Sequence, residues 1–208
     1  MKTGNKALAI LAGVLLILHA LLYVFFDLIP WLSSPSLPEP DLVRRLCIAL
    51  ILPAAGVFLL RRQPKIAAVL MTVLAAAALL CYAEEIACYL SETPPTAAAA
   101  RYAVGGHFPA RFFVIPLMEL TAALLLAAQF YTRGFAALLI PLFVAAAEIA
   151  AAHGTLERFA YVAGGHPSPL NYLMPFNYVL ASVLIGMYLV TANPMLNPGE
   201  TSDGYSDQ

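Results

Sequence analysis

Long apolar runs separated by short polar or Pro- and Gly-rich segments dominate the sequence. The hydrocarbon core of a bilayer is roughly 30 Å thick and an α-helix rises about 1.5 Å per residue, so a spanning helix needs about 20 apolar residues. Six runs reach or approach this length, at about 7–29, 42–60, 66–90, 111–131, 135–152 and 170–192. The pattern predicts an all-α polytopic membrane protein, with six transmembrane helices in residues 1–192 and a disordered acidic cytoplasmic tail over 193–208.

Composition and charge agree with a membrane protein. Of the 208 residues, 62% are hydrophobic and 11% are charged, whereas roughly 25% of the residues of a soluble domain are charged. The formal net charge of -1 argues against a basic nucleic-acid-binding face. The expected partner is therefore the lipid bilayer, with no nucleic acid, and both a homo-oligomer and a larger membrane complex stay open.

Basic residues set the expected orientation. Arg61, Arg62 and Lys65 form a compact basic turn between two predicted spans, and such turns favour the cytoplasmic face. The first apolar run is longer than the core of a signal peptide and is read as a retained helix. With an even number of spans, both termini are predicted to be cytoplasmic, in what is expected to be a bacterial inner membrane.

Part of the sequence is repeated. Residues 102–131 and 161–190 align without a gap at an offset of 59, and the segment around Glu85 matches the segment around Glu148. A weaker alignment places Asp27 opposite Glu85. The repeated unit is a helical hairpin, and successive copies enter the membrane in the same direction, so the fold is predicted to consist of repeated parallel helical hairpins. The matched loop residues are Gly105, Gly106 and His107 in one copy and Gly164, Gly165 and His166 in the other.

Four carboxylates lie in or near the predicted spans, namely Asp27, Glu85, Glu119 and Glu148. An ionised side chain in lipid costs at least ~2.5–3.5 kcal/mol, so such groups should face the bundle interior, a cavity or an interface. For Asp27 and Glu85, contact with lipid headgroups is an equally good explanation. Glu119 and Glu148 are the stronger candidates for lining a transport path.

The two Gly-Gly-His loops are candidates for an outer vestibule. Paired glycines allow a tight turn that presents backbone amides and an imidazole, as a gate or solute contact would require. A solvated turn and a metal site are the alternatives, but no close-spaced set of His and Cys ligands supports a metal. No metal site is therefore assigned, and no cofactor is expected, because His19 is alone in mid-membrane and haem would be better indicated by a facing pair.

Helix-breaking prolines also repeat. Pro116 and Pro175 occupy matching positions, and a proline inside a helix frees a carbonyl and can kink the helix. Matching kinks are expected to shape a cavity.

No sequence motif indicates an enzymatic reaction. Phosphate loops, dinucleotide fingerprints and hydrolase motifs are missing, so an enzyme is less expected than a non-enzyme and no catalytic residue is assigned. The leading hypothesis is a small channel or transporter component for a small solute or ion. The alternative is a non-catalytic membrane anchor or assembly subunit of a larger envelope complex, and an intramembrane enzyme is third. In architecture alone, three two-helix hairpins resemble the small urea and amide channels, and this resemblance assigns no residue.

Overall fold

The fold is a bundle of helices. The computed structural model describes residues 3–32, 39–90, 114–132, 134–163 and 172–191, and no strand occurs among them. This confirms the all-α prediction. The helices are α1 (Thr3–Tyr23), α2 (Ile29–Leu32), α3 (Glu39–Leu60), α4 (Pro64–Leu90), α5 (Val114–Gln129), α6 (Ala136–Ala163) and α7 (Leu173–Thr191), and a π-helical turn (Val24–Leu28) joins α1 to α2.

Apolar length supports a membrane protein. Within the described ranges, five helices are long and apolar enough to cross a membrane, namely those over 5–26, 43–60, 64–83, 136–157 and 173–191. The helix α5 is also apolar but has 16 residues, which span about 24 Å at 1.5 Å per residue. The sixth crossing, and with it the predicted span count, therefore stays a prediction.

The six longer helices pack in a closed order. Each helix contacts the next in the order α1, α3, α4, α5, α6, α7, and α7 contacts α1. Short connections join α3 to α4 and α5 to α6, so these neighbours are antiparallel. The Asn5 side-chain amide donates to the Thr191 carbonyl at 3.0 Å, which ties the start of α1 to the end of α7. We call the face with these short connections and both described chain ends the turn side, and the opposite face the far side.

Glycines let the backbones of neighbouring helices approach closely. A Cβ atom placed on Gly13 in α1 would stand 2.6 Å from the Gly56 carbonyl oxygen in α3, and one on Gly56 would stand 2.7 Å from the Gly13 carbonyl oxygen. At Gly186 in α7, an added Cβ atom would stand 2.6 Å from the Ala137 carbonyl oxygen in α6. Small residues have this role in membrane bundles because lipid supplies no hydrophobic force that drives helices together.

Buried apolar side chains fill the interior of the bundle from its turn side past its middle. They come from all six longer helices and belong to one packed cluster, which includes Tyr178 on α7. The largest of those that are almost fully buried include Leu52, Leu59, Met71, Leu126 and Ile185.

The end of α6 differs from the sequence-based expectation. The helix α6 continues to Ala163, well beyond the predicted end at residue 152, because Gly154 does not end it. An added Cβ atom on Gly154 would stand 2.9 Å from side-chain atoms of Val114 and Ile115, so this glycine is a packing contact with α5. His153, next to Gly154, also lies inside α6, with its Nε2 atom 3.3 Å from a Glu157 carboxylate oxygen.

The prolines also act differently from expectation. Pro116 and Pro175 each occupy the third position of their helices, α5 and α7. In a first turn the backbone N–H groups have no acceptor within the helix, so a proline there removes no helical hydrogen bond. The predicted kinks therefore have no basis at these two positions. Pro53 and Pro141, by contrast, lie inside α3 and α6.

Candidate functional site

Three polar side chains from three neighbouring helices meet in the far-side half of the bundle. Arg44 on α3 donates from Nη1 to the Tyr82 hydroxyl oxygen at 2.6 Å, and the Tyr82 hydroxyl donates to Glu119 Oε2. The same Arg44 nitrogen lies 3.7 Å from that carboxylate oxygen. Tyr82 on α4 is 1% exposed and Arg44 is 9% exposed, so a guanidinium and a phenol are buried together.

Helix direction brings these residues to one level. Arg44 follows the start of α3 by five residues, Glu119 follows the start of α5 by five, and Tyr82 lies in the last third of α4. Because α4 is antiparallel to both of its neighbours, a late position in α4 lies beside early positions in α3 and α5. The arginine and the glutamate then offset each other's charge, and Tyr82 bridges them.

Glu148 lies near this group on the next helix. It follows the start of α6 by 12 residues, or about 18 Å along the helix axis. It interacts electrostatically with the Glu119 carboxylate, which has the same sign of charge, and with the Tyr178 hydroxyl. Within the described part of the chain, no side chain donates a hydrogen bond to Glu148 and no cation lies within ion-pair distance of it.

The helices α1 and α7 contribute an aromatic pair. The ring of His19 on α1 lies 4.9 Å from the ring of buried Tyr178 on α7, with an interplanar angle of 47°. His19 is hydrogen-bonded to the backbone of Met174, but its Nδ1 atom is buried and has no hydrogen-bond partner among the described residues. The neighbouring Asn177 side chain donates to the Leu15 carbonyl at 2.9 Å and fastens α7 to α1.

These residues form a series that passes through all six longer helices. We call it the polar belt, and from Arg44 to His19 each member interacts with the following member of the series. Arg44, Tyr82 and Tyr178 are at most 9% exposed, whereas Glu119, Glu148 and His19 are partly buried. The polar belt consists of Arg44, Tyr82, Glu119, Glu148, Tyr178 and His19.

A second polar group closes the bundle nearer the turn side. Gln129 is fully buried and donates from Nε2 to the carbonyl oxygens of Ser182 at 2.8 Å and Ala137 at 3.1 Å. The Ser182 hydroxyl donates back to Gln129 Oε1 at 2.8 Å. Both side chains are satisfied, so this group fastens α5, α6 and α7 together and leaves no free donor for a ligand.

The sequence-predicted path residues have different outcomes. Glu119 and Glu148 lie near each other in the polar belt. Asp27 lies in the π-helical turn and Glu85 in α4, but their side chains are outside what the structure describes. The predicted vestibule and the acidic tail also lie outside the described residues. The vestibule candidates concerned are Gly105, Gly106, His107, Gly164, Gly165 and His166.

Sequence reasoning missed half of the polar belt. Arg44 lies at the start of its apolar run, where a charged side chain is unremarkable, and tyrosine is ordinary in a membrane helix, so the sequence does not distinguish Arg44, Tyr82 or Tyr178. One signal was present for the tyrosine in α7: at the repeat offset of 59, Tyr178 aligns with Glu119. The structure pairs a tyrosine with a glutamate in each of these two hairpins, Tyr82 with Glu119 and Glu148 with Tyr178.

Comparison with known proteins adds no assignment. No family model, curated protein or solved structure matches the chain. Among the described residues, no group of three His, Cys, Asp or Glu side chains is placed to hold a metal ion. The physical arrangement of the polar belt is therefore the basis for a functional proposal.

Proposed function

We propose that this protein is a small channel or transporter component for a small solute or ion, and that the polar belt is where the solute binds within the membrane. The observation that carries the proposal is a series of polar side chains, one from each of six helices of an apolar bundle, in which each interacts with the following one.

The energetic cost of the belt supports a role beyond packing. Charged side chains inside a membrane domain are expensive, and buried ion pairs commonly stabilise a fold less than well-packed apolar residues of similar volume. Glu148 adds to this cost, since it interacts electrostatically with another carboxylate, Glu119. A site for a polar solute explains why such groups are placed together.

The packing around the belt suggests a direction of access. Leu59, Met71 and the Gln129–Ser182 group lie nearer the turn side than the belt does, although one belt residue, Tyr178, packs into the same apolar cluster as Leu59 and Met71. We infer that solute reaches the belt from the far side in this conformation. Passage to the turn side then requires the apolar cluster to open.

The anchoring alternative has an observation of its own. Arg44 and Glu119 neutralise each other and are bridged by Tyr82, so this part of the belt could serve only to fix α3, α4 and α5 together. An anchor or assembly subunit needs such fixation and no solute path. Glu148 takes no part in the contacts among Arg44, Tyr82 and Glu119, so a substitution of Glu148 distinguishes the two functions.

Solute flux into liposomes tests the proposal. The purified full-length protein is reconstituted and offered sodium, potassium, methylammonium, acetate, urea and glycerol, with protein-free vesicles as the baseline. We expect at least one solute to enter faster than baseline, and the Glu148→Gln variant to reduce that rate about tenfold or more, since loss of a hydrogen bond to a charged group costs about 1.5–3 kcal/mol.

Glu157→Gln is the matched control, because it makes the same chemical change at an exposed position of the same helix. It should leave the flux unchanged. If no solute enters faster than baseline, or if Glu148→Gln transports as well as the wild type, the anchoring role is the better description.

A further inference from the structure

We propose that a basic cluster at the turn side of the bundle binds the phosphate group of an anionic phospholipid. The basic cluster consists of Lys6, Arg61, Arg62 and Lys65. This inference goes beyond the proposed transport function and is independent of it, because it uses no residue of the polar belt.

The members of the basic cluster lie at one level of the bundle. The connection from α3 to α4 carries three of them. Lys6 on α1 precedes Gly13 by seven residues, or about two helical turns, so it shares the face of α1 that packs against α3. From the contact between Gly13 and Gly56, Lys6 lies about 10 Å and Arg61 about 8 Å toward the turn side.

The charge of the basic cluster is not neutralised within the described part of the chain. All four side chains are exposed, and none makes an ion pair or a side-chain hydrogen bond with another described residue. The turn-side ends of the six longer helices, as far as the structure describes them, carry no aspartate or glutamate. Lys65 also lies in the first turn of α4, where the helix dipole disfavours a cation. A bound anion would relieve the repulsion among these cations.

The backbone of Arg62 is an independent observation. Its φ angle is +57°, and Arg62 is the one described residue other than glycine with a left-handed backbone. It ends α3 in a Schellman turn, in which the Gln63 N–H donates to the Phe58 carbonyl at 2.8 Å and the Arg62 N–H donates to the Leu59 carbonyl at 2.9 Å. Glycine suits this position, and the connection from α5 to α6 has Gly134 at φ +67°. An arginine in a conformation that disfavours it points to a function for its side chain.

The surroundings of the basic cluster favour a phospholipid over a soluble phosphate. Next to Lys65, α4 exposes Ile66 and Val69, and α3 exposes Val57 one turn before Arg61. In a bilayer these apolar side chains face acyl chains, and cations at the ends of the same helices lie near the lipid headgroups. Arginine donates paired hydrogen bonds to a phosphate, and lysine adds a compact charge. A ligand with an anionic head and apolar tails matches both parts of this surface.

Thermal unfolding in nanodiscs tests the inference. The full-length protein is compared in phosphatidylcholine alone, in phosphatidylcholine with inorganic phosphate, and in phosphatidylcholine mixed with phosphatidylglycerol. We expect phosphatidylglycerol to raise the unfolding temperature by several degrees, because a ligand that binds only the folded state stabilises it, and we expect no comparable rise with inorganic phosphate.

Two variants separate the cluster from a general effect of the lipid. Replacing Lys6, Arg61 and Lys65 together by glutamine should remove most of the rise caused by phosphatidylglycerol. Gln63→Ala is the matched control, because it changes an exposed but uncharged residue of the same connection, and it should leave the rise unchanged.

Arg62→Gly separates the charge from the turn. Glycine relieves the left-handed backbone, so this variant should unfold at a higher temperature than the wild type in phosphatidylcholine alone. It should nevertheless gain less from phosphatidylglycerol than the wild type does. If the glutamine-substituted protein does not elute as a monodisperse species, the wild type and Arg62→Gly decide the question.

The inference is overturned if phosphatidylglycerol does not raise the wild-type unfolding temperature, if inorganic phosphate raises it as much, or if the substituted proteins gain as much as the wild type. It is also overturned if the glutamine substitutions lower the unfolding temperature equally with and without phosphatidylglycerol, since the cations would then have their partner within the chain. Solute flux is measured separately, so each of these outcomes leaves the proposed transport function standing.

Discussion

Tyr82 has the most demanding position of any single residue described here. Its hydroxyl oxygen accepts a hydrogen bond from Arg44, and its own proton goes to Glu119, so it is used as acceptor and donor at once. The side chain is 1% exposed, and water therefore has little access to replace either bond. Where water has little access, a lost hydrogen bond leaves a polar group unsatisfied, and the cost is larger than at the surface.

The Tyr82→Phe variant should therefore destabilise the protein. We expect the free energy of unfolding to fall by about 1–2 kcal/mol, since Arg44 loses an acceptor and Glu119 loses a donor. Tyr131→Phe is the matched control, because the Tyr131 hydroxyl also makes a 2.8 Å hydrogen bond, to Thr72, but in an exposed setting.

Unfolding in a mixed-micelle SDS titration measures both variants. The control should change stability by less than about 0.5 kcal/mol. Equal losses in the two variants would show that the buried bridge contributes nothing beyond an ordinary surface hydrogen bond.

At the scale of single residues, the sequence indicates functional candidates only where a residue is charged. Glu119 and Glu148 stand out because a carboxylate in an apolar run is costly, and the structure brings both into one series of polar residues. Tyr82 carries no such signal, since its ring suits an apolar helix and only its partners on two other helices give the hydroxyl a role. Partners distant in sequence are not visible from local pattern.

At the scale of helices, close backbone approach at Gly13 and Gly56 fixes how α1 packs on α3. Each glycine stands against the carbonyl oxygen of the other, so the contact has no room for a side chain on either helix. An added side chain would have to push the two backbones apart, and in a close-packed interior such overpacking costs about 1–3 kcal/mol. The polar belt depends on this crossing, because His19 and Arg44 lie on the same two helices.

The Gly13→Leu variant tests the crossing. We expect it to lower the midpoint of unfolding and to reduce the yield of monodisperse protein. The matched control is Ala76→Leu, which adds a leucine at an exposed position of α4 and should leave both quantities near wild type. A Gly13→Leu protein as stable as the control would mean that α1 and α3 are not in close contact.

Helix existence follows from the apolar runs more reliably than helix ends do. The run that opens near Phe135 predicts α6, yet a His-Gly pair suggests an end that the structure does not have, because α5 packs over Gly154 and supports the helix there. Likewise, Pro116 and Pro175 look like kinks in a sequence but lie in the first turns of α5 and α7. Whether a glycine or proline ends a helix depends on its neighbours in space.

At the scale of the whole molecule, the closed order of helices is what assembles the belt. The sequence predicts hairpins, and in the structure the two helices of each hairpin are in contact: α1 with α3, α4 with α5, and α6 with α7. The contacts between hairpins, such as α7 with α1, depend on which faces meet, and an all-round apolar helix gives little indication of its buried face. That is why two glutamates could be proposed from sequence but not the complete series.

The final prediction concerns membrane topology: which side of the membrane each connection lies on, and whether α5 crosses the membrane. The hydrogen bond from Asn5 to Thr191 places both described ends of the bundle on the turn side, together with the basic connection at Arg61. Basic connections favour the cytoplasm, so the turn side is expected to face it. Six crossings then leave residue 206 in the cytoplasm, whereas five would leave it outside.

Single cysteines introduced at Ser34, Gln63 and Ser206 report this in intact cells, in a background whose native cysteines are replaced by alanine. A membrane-impermeant maleimide should label the Ser34→Cys protein, and should label the other two only after the cells are permeabilised. Labelling at position 63 but not at 34 would invert the orientation. Labelling at both 34 and 206 would mean that the 16-residue α5 does not cross the membrane. The proposal that the polar belt lies within the membrane would then lose its support.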